Sequence, residues 1–159
     1  MYITIHIASQ ELVLHTPDSE RTYSISSGAN GVGQENGSYQ TPLGKHIIRA
    51  RIGEGLPENA VLVGRRFTGE VYSPKLRAQH PERRDWILTR ILWLSGLEPG
   101  FNRHGSVDTM RRYIYIHGSP DTAEMGKPGS RGCIRMHNRD ILDLFPRTSP
   151  GMSVTILEN

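Results

Sequence analysis

The chain has 159 residues, a formal net charge of +3 at pH 7 and a sequence pI near 9.2. This length predicts a single domain over residues 1–159. The basic residues are scattered and not interleaved with aromatic ones, which argues against a nucleic-acid partner, and no apolar stretch approaches the roughly 20 residues of a membrane span.

The first elements are predicted to be paired strands. Residues Ile3–Ile7 alternate between apolar and polar types, and Glu11–His15 follows as a second strand. The Thr16–Ser19 segment predicts a turn, and Arg21–Ser26 predicts a third strand. With seventeen glycines and ten prolines between short apolar runs, the chain is expected to be mainly β.

The N-terminus lacks the features of a secretory signal. Such a signal needs a basic head, an apolar core of some 7–15 residues and a small-residue cleavage site. Here the first basic residue other than histidine is Arg21. A cytoplasmic location is therefore expected, or a periplasmic one if a leader has been removed.

The middle of the chain is less regular. Its glycine-rich stretch, 28–37, lacks the third glycine of a dinucleotide loop and predicts simple turns. A fixed turn at Thr41–Gly44 leads into a strand, and the segments 56–67 and 71–74 are expected to be loop with short strand pieces.

Two strands are predicted in the second half. Residues Trp86–Leu94 are rich in apolar and aromatic types, and a strand is favoured over a short helix because turn residues follow. Residues Arg112–His117 alternate, so Tyr113, Tyr115 and His117 are expected on one face, with His117 at the strand end.

The chain is predicted to close with a helix and a strand. Asn138 is a candidate N-cap for a short helix that stops before Pro146. Residues Val154–Leu157 predict the final strand.

Cys133 is the only cysteine, so it cannot form an intramolecular disulfide. Arg131 and Arg135 flank it, and nearby guanidinium groups favour the reactive thiolate. Gly132 lets the backbone approach a substrate and leaves an N–H for an oxyanion. These flanks indicate an activated nucleophile; a buried structural thiol and a redox sensor are the alternatives.

A thiol nucleophile needs a base, and His117, followed by Gly118, is the best candidate among seven histidines. No metal is expected, because zinc sites use paired histidines or several cysteines and neither pattern is present. A serine elbow is also absent from the sequence.

Three segments of the chain resemble those of a known family. Residues His117–Pro120, followed by Ser130–Met136 and Asn138, are similar to the signature of the YkuD-type L,D-transpeptidase catalytic domain. Residues Gly37–Gly44 resemble that family's Thr-Pro-x-Gly segment. The resemblance implies a mainly β, sandwich-like domain with one or two short helices and no cofactor.

The resemblance also implies roles for individual residues. Cys133 would be the nucleophile, His117 the general base, and the Gly118 carbonyl would orient the imidazole. The N–H groups of Gly132 and Cys133 would form the oxyanion hole. One position departs from the family pattern, since many members have histidine where this chain has Arg131. Substrate-binding or oxyanion roles are expected for Ser130, Arg131, Gly132, Arg135 and Tyr115, and the candidates for binding the terminal carboxylate are Arg131, Arg135 and Arg103.

By the same resemblance the partner is a peptidoglycan stem peptide or muropeptide, cut between the diamino acid at position three and D-Ala. Hydrolysis of the resulting thioester would make an L,D-carboxypeptidase of muropeptide recycling, and the apparent lack of a leader favours this activity. Attack by an amine would make a transpeptidase that forms 3→3 cross-links. A non-catalytic muropeptide-binding module is a further alternative, and carbapenem-type β-lactams are expected covalent inhibitors.

Overall fold

A computed structural model describes residues 1–159 as one ten-stranded sheet with two short helices. The helices are α1 (Pro74–Gln79) and α2 (Asn138–Leu144). The strands are β1 (Tyr2–His6), β2 (Glu11–His15), β3 (Glu20–Ser26), β4 (Gly44–Ile52), β5 (Ala60–Val63), β6 (Arg66–Val71), β7 (Leu88–Gly96), β8 (Tyr115–Ser119), β9 (Ile134–His137) and β10 (Ser153–Leu157).

The sheet closes on itself. Its strand order is β4-β10-β1-β2-β3-β9-β8-β7, and a further pairing of β4 with β7 completes the ring. The pairs β1–β10 and β8–β9 are parallel, whereas the other pairs are antiparallel. The hairpin of β5 and β6 attaches outside the ring to β7. The mainly β, sandwich-like fold with short helices is thus confirmed.

The core fills the interior of this ring. Alternate residues of the N-terminal strands point inward and are fully buried, including Ile3 and Ile5 in β1 and Leu12 and Leu14 in β2. They join a cluster of 18 buried side chains that also includes residues of β7, β8, β9 and α2. The period-two pattern predicted β1 because one face of this strand is buried, and the pairing of β1 with β2 is confirmed. Neither helix is long and apolar enough to cross a bilayer.

The strand predicted at Arg112–His117 begins later than expected. Tyr113 has φ of 57°, a left-handed conformation that interrupts the extended backbone, and β8 begins at Tyr115. Arg112 donates to the carbonyl oxygens of Gly33 and Gln40, which fixes the turn before the strand. His117 therefore lies in the middle of β8, and its prediction at a strand end was wrong.

Other boundaries also differ from the sequence pattern. The strand expected at Trp86–Leu94 is present but shifted to Leu88–Gly96. The segment expected to be mostly loop forms the β5–β6 hairpin, followed by α1. Asn138 is the first residue of α2 and is buried, and His137 occupies the N-cap position instead.

Candidate active site

Cys133 and His117 lie on neighbouring parallel strands. Ile116 of β8 pairs with Ile134 of β9, and both point into the core. The next pair, His117 and Arg135, points to the opposite face, because successive side chains alternate. Cys133 directly precedes Ile134 and therefore shares that second face. The sheet thus places the thiol and the imidazole on one side, diagonally across adjacent strands.

The Cys133 thiol is enclosed, with 9% of the residue exposed. Its Sγ accepts the N–H of Tyr115 at 3.3 Å and donates to the carbonyl oxygen of Tyr113 at 3.4 Å. Burial raises the pKa of the Cys133 thiol to about 12, and the opposing effects of the Tyr115 N–H, Arg135 and Arg112 are smaller. Burial therefore outweighs the effect of Arg135, one of the two flanking arginines that favour the thiolate.

The His117 imidazole is fully buried and held by one hydrogen bond. Nδ1 donates to the carbonyl oxygen of Gly118 at 2.6 Å, in the manner that the resemblance gives to this glycine. Nδ1 therefore carries the proton, and Nε2 is the unprotonated nitrogen with no hydrogen-bond partner in the chain. Burial lowers the pKa of His117 against the opposing charge of Asp85, which favours the neutral, proton-accepting form.

The loop before Cys133 is held by Ser130 and Thr41. The Ser130 hydroxyl donates to the carbonyl oxygen of Cys133 and accepts the N–H of Gly132 at 3.1 Å. Thr41, in the Thr-Pro-x-Gly segment, donates to the carbonyl oxygen of Gly132 at 2.9 Å. Of the two N–H groups expected in an oxyanion hole, that of Gly132 is therefore occupied, whereas that of Cys133 has no acceptor in the protein.

Asp85 is a site residue that the sequence did not single out. Its carboxylate accepts Nη2 of Arg135 at 2.8 Å, and it lines the cleft that contains Cys133. Although burial opposes the effect, His117, Arg135 and Arg131 hold the pKa of Asp85 below its ordinary value. Arg135 is thus paired with a carboxylate of the protein itself. The negative charge of Asp85 also raises the pKa of His117, against the larger effect of burial.

The Cys133 cleft has a volume of about 600 Å³ and opens between the 36–39 segment and the β5–β6 hairpin. Of the residues expected at the site, Cys133, Tyr115 and Arg131 line this cleft. Arg135 lines a neighbouring cleft. The remaining expected residues are buried and do not line the Cys133 cleft: His117, Gly118, Ser130 and Gly132. Arg103 lines neither cleft, so the structure does not bring it to the site.

Arg65, at the tip of the β5–β6 hairpin, is a second residue that the sequence did not single out. Its Nη1 donates to the Tyr115 hydroxyl at 3.0 Å. Its guanidinium carbon lies 4.6 Å from the ring centroid of Trp93 and 4.9 Å from that of Tyr113. These contacts fasten the hairpin over the wall of the Cys133 cleft.

Comparison with known proteins gives a family match over nearly the whole chain and relatives over part of it. A family model described as the L,D-transpeptidase catalytic domain, YkuD, matches residues 1–156. YkuD of Bacillus licheniformis is 46% identical over 46 residues, which cover 29% of this chain and 28% of that relative. The corresponding protein of Bacillus subtilis is 44% identical over 46 residues, with the same coverage.

Solved structures share the fold. An Enterococcus faecium L,D-transpeptidase superposes with a TM-score of 0.57 at 17% identity, covering 98% of this chain and 49% of that one. L,D-transpeptidase 3 of Mycobacterium tuberculosis, solved with a faropenem-derived adduct, gives a TM-score of 0.57 at 13% identity, covering 99% of this chain and 60% of that one. This chain therefore spans about half to three-fifths of the length of these structures.

Proposed function

Because the chain belongs to the YkuD family of L,D-transpeptidase catalytic domains, we propose that it is a cysteine acyl-transfer enzyme acting on peptidoglycan stem peptides. One observation carries the proposal. His117 presents an unpartnered Nε2 on the sheet face of Cys133, while its Nδ1 is fixed by the Gly118 carbonyl. A thiol and an oriented neutral imidazole on one face are the components of nucleophilic catalysis.

The proposed reaction begins from a neutral pair. Nε2 of His117 takes the Cys133 proton as Sγ attacks the carbonyl carbon between the third-position diamino acid and D-Ala. The N–H of Cys133 is the donor for the oxyanion. When the tetrahedral species collapses, the imidazolium returns the proton to the amine of D-Ala. D-Ala leaves, and a thioester joins the substrate to Cys133.

The thioester is then resolved by water or by an amine. In hydrolysis His117 takes a proton from water, the new carboxylic acid is released, and Sγ regains its proton. We propose hydrolysis, an L,D-carboxypeptidase activity on muropeptides of the kind recycled from the wall. The nearly complete burial of Cys133 in a cleft of about 600 Å³ supports this choice, since water enters such a site more readily than a second peptide.

Transpeptidation is the second candidate. The relatives are named as L,D-transpeptidases, and an amine from another stem would attack the same thioester to form a 3→3 cross-link. We also propose that carbapenem-type β-lactams acylate Cys133, because another L,D-transpeptidase was solved in complex with the carbapenem imipenem, and the M. tuberculosis relative with an adduct derived from the penem faropenem.

The proposal is tested by incubating the enzyme with disaccharide tetrapeptide, with and without an acceptor stem. Release of D-Ala and formation of tripeptide are expected, and Cys133→Ala should abolish both. Cross-linked dimers that form only with acceptor would establish the transpeptidase instead. Activity that survives Cys133→Ala would exclude the mechanism.

Intact mass after exposure to a carbapenem tests the nucleophile separately. A single adduct is expected on the wild-type enzyme and none on Cys133→Ala. A non-catalytic binding module would gain no mass. A redox-sensing thiol would retain its function in His117→Ala, whereas the proposed enzyme would lose D-Ala release in that variant.

A further inference from the structure

A second cleft lies on the other side of the Asp85–Arg135 ion pair from Cys133. It has a volume of about 1030 Å³ and is the larger of the two clefts. Its walls come from α1, the segment 81–86 and the loop that follows β8. Arg135 lines this cleft while its partner Asp85 lines the Cys133 cleft, so the ion pair forms a shared wall.

The charge of this cleft is strongly one-sided. Four arginines line it, Arg77, Arg83, Arg84 and Arg135, against the single acid Asp121. We call it the arginine cleft. Arg135 is paired with Asp85, and Arg83 lies 3.6 Å from Glu70. Arg77 and Arg84 are exposed and have no acidic partner within ion-pair distance, so two cations remain available to a ligand.

Two buried donors in the same walls make no hydrogen bond in the protein. Nε1 of Trp86 has no polar partner, and Nη1 of Arg83 has only its ion-pair contact of 3.6 Å with Oε1 of Glu70. Trp86 is only 6% exposed, and Tyr72 packs edge-on against it with 5.1 Å between ring centroids. Buried N–H groups are nearly always paired, and an unpaired one is unfavourable. Both donors would be satisfied by a ligand that brings acceptor oxygens.

We propose that the arginine cleft binds an oxyanionic group of the substrate. Arginine forks recognise carboxylate and phosphate through paired N–H···O bonds, and this cleft offers two unpaired forks with further donors behind them. The link to substrate rests on the proposed function. Under it, the oxyanion is either a free carboxylate of a stem peptide or a phosphate of a nucleotide-linked one. In both cases the arginine cleft anchors the substrate beside the Asp85–Arg135 wall that it shares with the Cys133 cleft.

The test is a calorimetric titration with two probes. The first is the tripeptide L-Ala–γ-D-Glu–diamino acid, which has no D-Ala left to lose, compared with the same tripeptide amidated at the glutamyl α-carboxylate. The second probe is inorganic pyrophosphate. Each is titrated into the wild-type enzyme, into Arg77→Gln/Arg84→Gln and into Arg111→Gln/Arg139→Gln. The last variant removes the same charge from exposed positions outside the cleft.

We expect the Arg77→Gln/Arg84→Gln variant to raise the Kd of the bound probe at least tenfold, while the control variant changes it less than twofold. Binding of the free-carboxylate tripeptide, lost on amidation, would assign the site to stem carboxylates, and binding of pyrophosphate alone would assign it to phosphates. No binding of either probe, or equal effects of the two variants, would overturn the proposal. If the wild-type enzyme binds the anion but releases no D-Ala, the proposed function is contradicted and the anion site is not.

Discussion

Asp85 and Arg135 form an ion pair of 2.8 Å that separates the Cys133 cleft from the arginine cleft. Both side chains are mostly shielded, with 21% and 18% exposed, so water screens their charges weakly. Asp85 favours the protonated imidazole of His117, whereas Arg135 opposes it. The pair therefore balances the charge beside the base, and removal of either partner should change how readily His117 accepts a proton.

The variant Asp85→Asn tests this balance. His117 must be neutral to accept a proton, so activity is lost as the pH falls through its pKa. Without the carboxylate, Arg135 is an uncompensated cation near the imidazole, and the pKa of His117 falls further. We expect the acid limb of kcat/KM for D-Ala release to move to lower pH and the plateau to fall about tenfold, roughly 1.4 kcal/mol.

The matched control for this experiment is Asp143→Asn, which removes a carboxylate that accepts a hydrogen bond from the Tyr23 hydroxyl and lines neither cleft. Its acid limb should coincide with that of the wild type. A limb in Asp85→Asn that stays in place, or moves to higher pH, would show that Asp85 does not act on His117.

Arg65→Gln tests whether the β5–β6 hairpin encloses the thiol. The substitution removes the hydrogen bond to Tyr115 and the contacts with the Trp93 and Tyr113 rings, which together hold the hairpin by about 1 kcal/mol or more. Modification of a buried thiol requires local opening. We expect a small maleimide to label Cys133 about fivefold faster, measured by intact mass. Equal rates in Arg65→Gln and in the neighbouring exposed control Arg66→Gln would contradict this role of the hairpin.

The sequence predicted the elements whose signals are local. The alternation of apolar and polar residues predicted β1, and alternate residues of this strand are buried. The short segments around His117 and Cys133 predicted these two residues as base and nucleophile, and the β8–β9 register places them on one face of the sheet. In each case a few consecutive residues contain the whole pattern.

Long-range contacts are what the sequence did not reveal. Arg65 and Asp85 belong to a segment without clear periodicity. Arg65 reaches the site because β5 pairs with β7, and Asp85, just before β7, reaches it beside Arg135 of β9. The protonation of Cys133 also depends on long-range contacts. Its arginine flanks are local, but the burial that raises the pKa of Cys133 depends on residues distant in the chain, among them Tyr113 and Tyr115.

Gly118→Ala tests the close packing behind His117. An added Cβ would lie 2.4 Å from Oδ1 of Asn138 and 2.6 Å from the carbonyl oxygen of Leu88, and the backbone atom cannot move without disturbing β7. We expect the free energy of unfolding to fall by about 1–3 kcal/mol in urea titrations. In the control, Gly55→Asn, there is open space around the glycine and the cost comes only from its φ of 82°, so the change should not exceed about 1 kcal/mol. Equal free energies of unfolding for Gly118→Ala and the wild type would show that β7 and β8 can move apart enough to accommodate the added methyl group.

His46 should make the fold sensitive to acid. It is fully buried in β4, where its ring nitrogens contact the carbonyl oxygen of Gly44 and the hydroxyl of Thr109. Burial lowers the pKa of His46 from 6.5 to about 4. The unfolded chain takes up its proton near pH 6.5 and the native protein only near pH 4, so the stabilisation is complete above pH 6.5 and is lost as the pH falls.

We expect the free energy of unfolding to drop by up to about 3 kcal/mol across this window, measured by urea titrations at successive pH values. His46→Gln should show a shallower dependence because it has no proton to take up, and the part that remains should reflect His117, whose pKa burial also lowers. The exposed control His104→Gln should retain the full slope. A slope in His46→Gln as steep as that of the wild type would locate the acid sensitivity elsewhere.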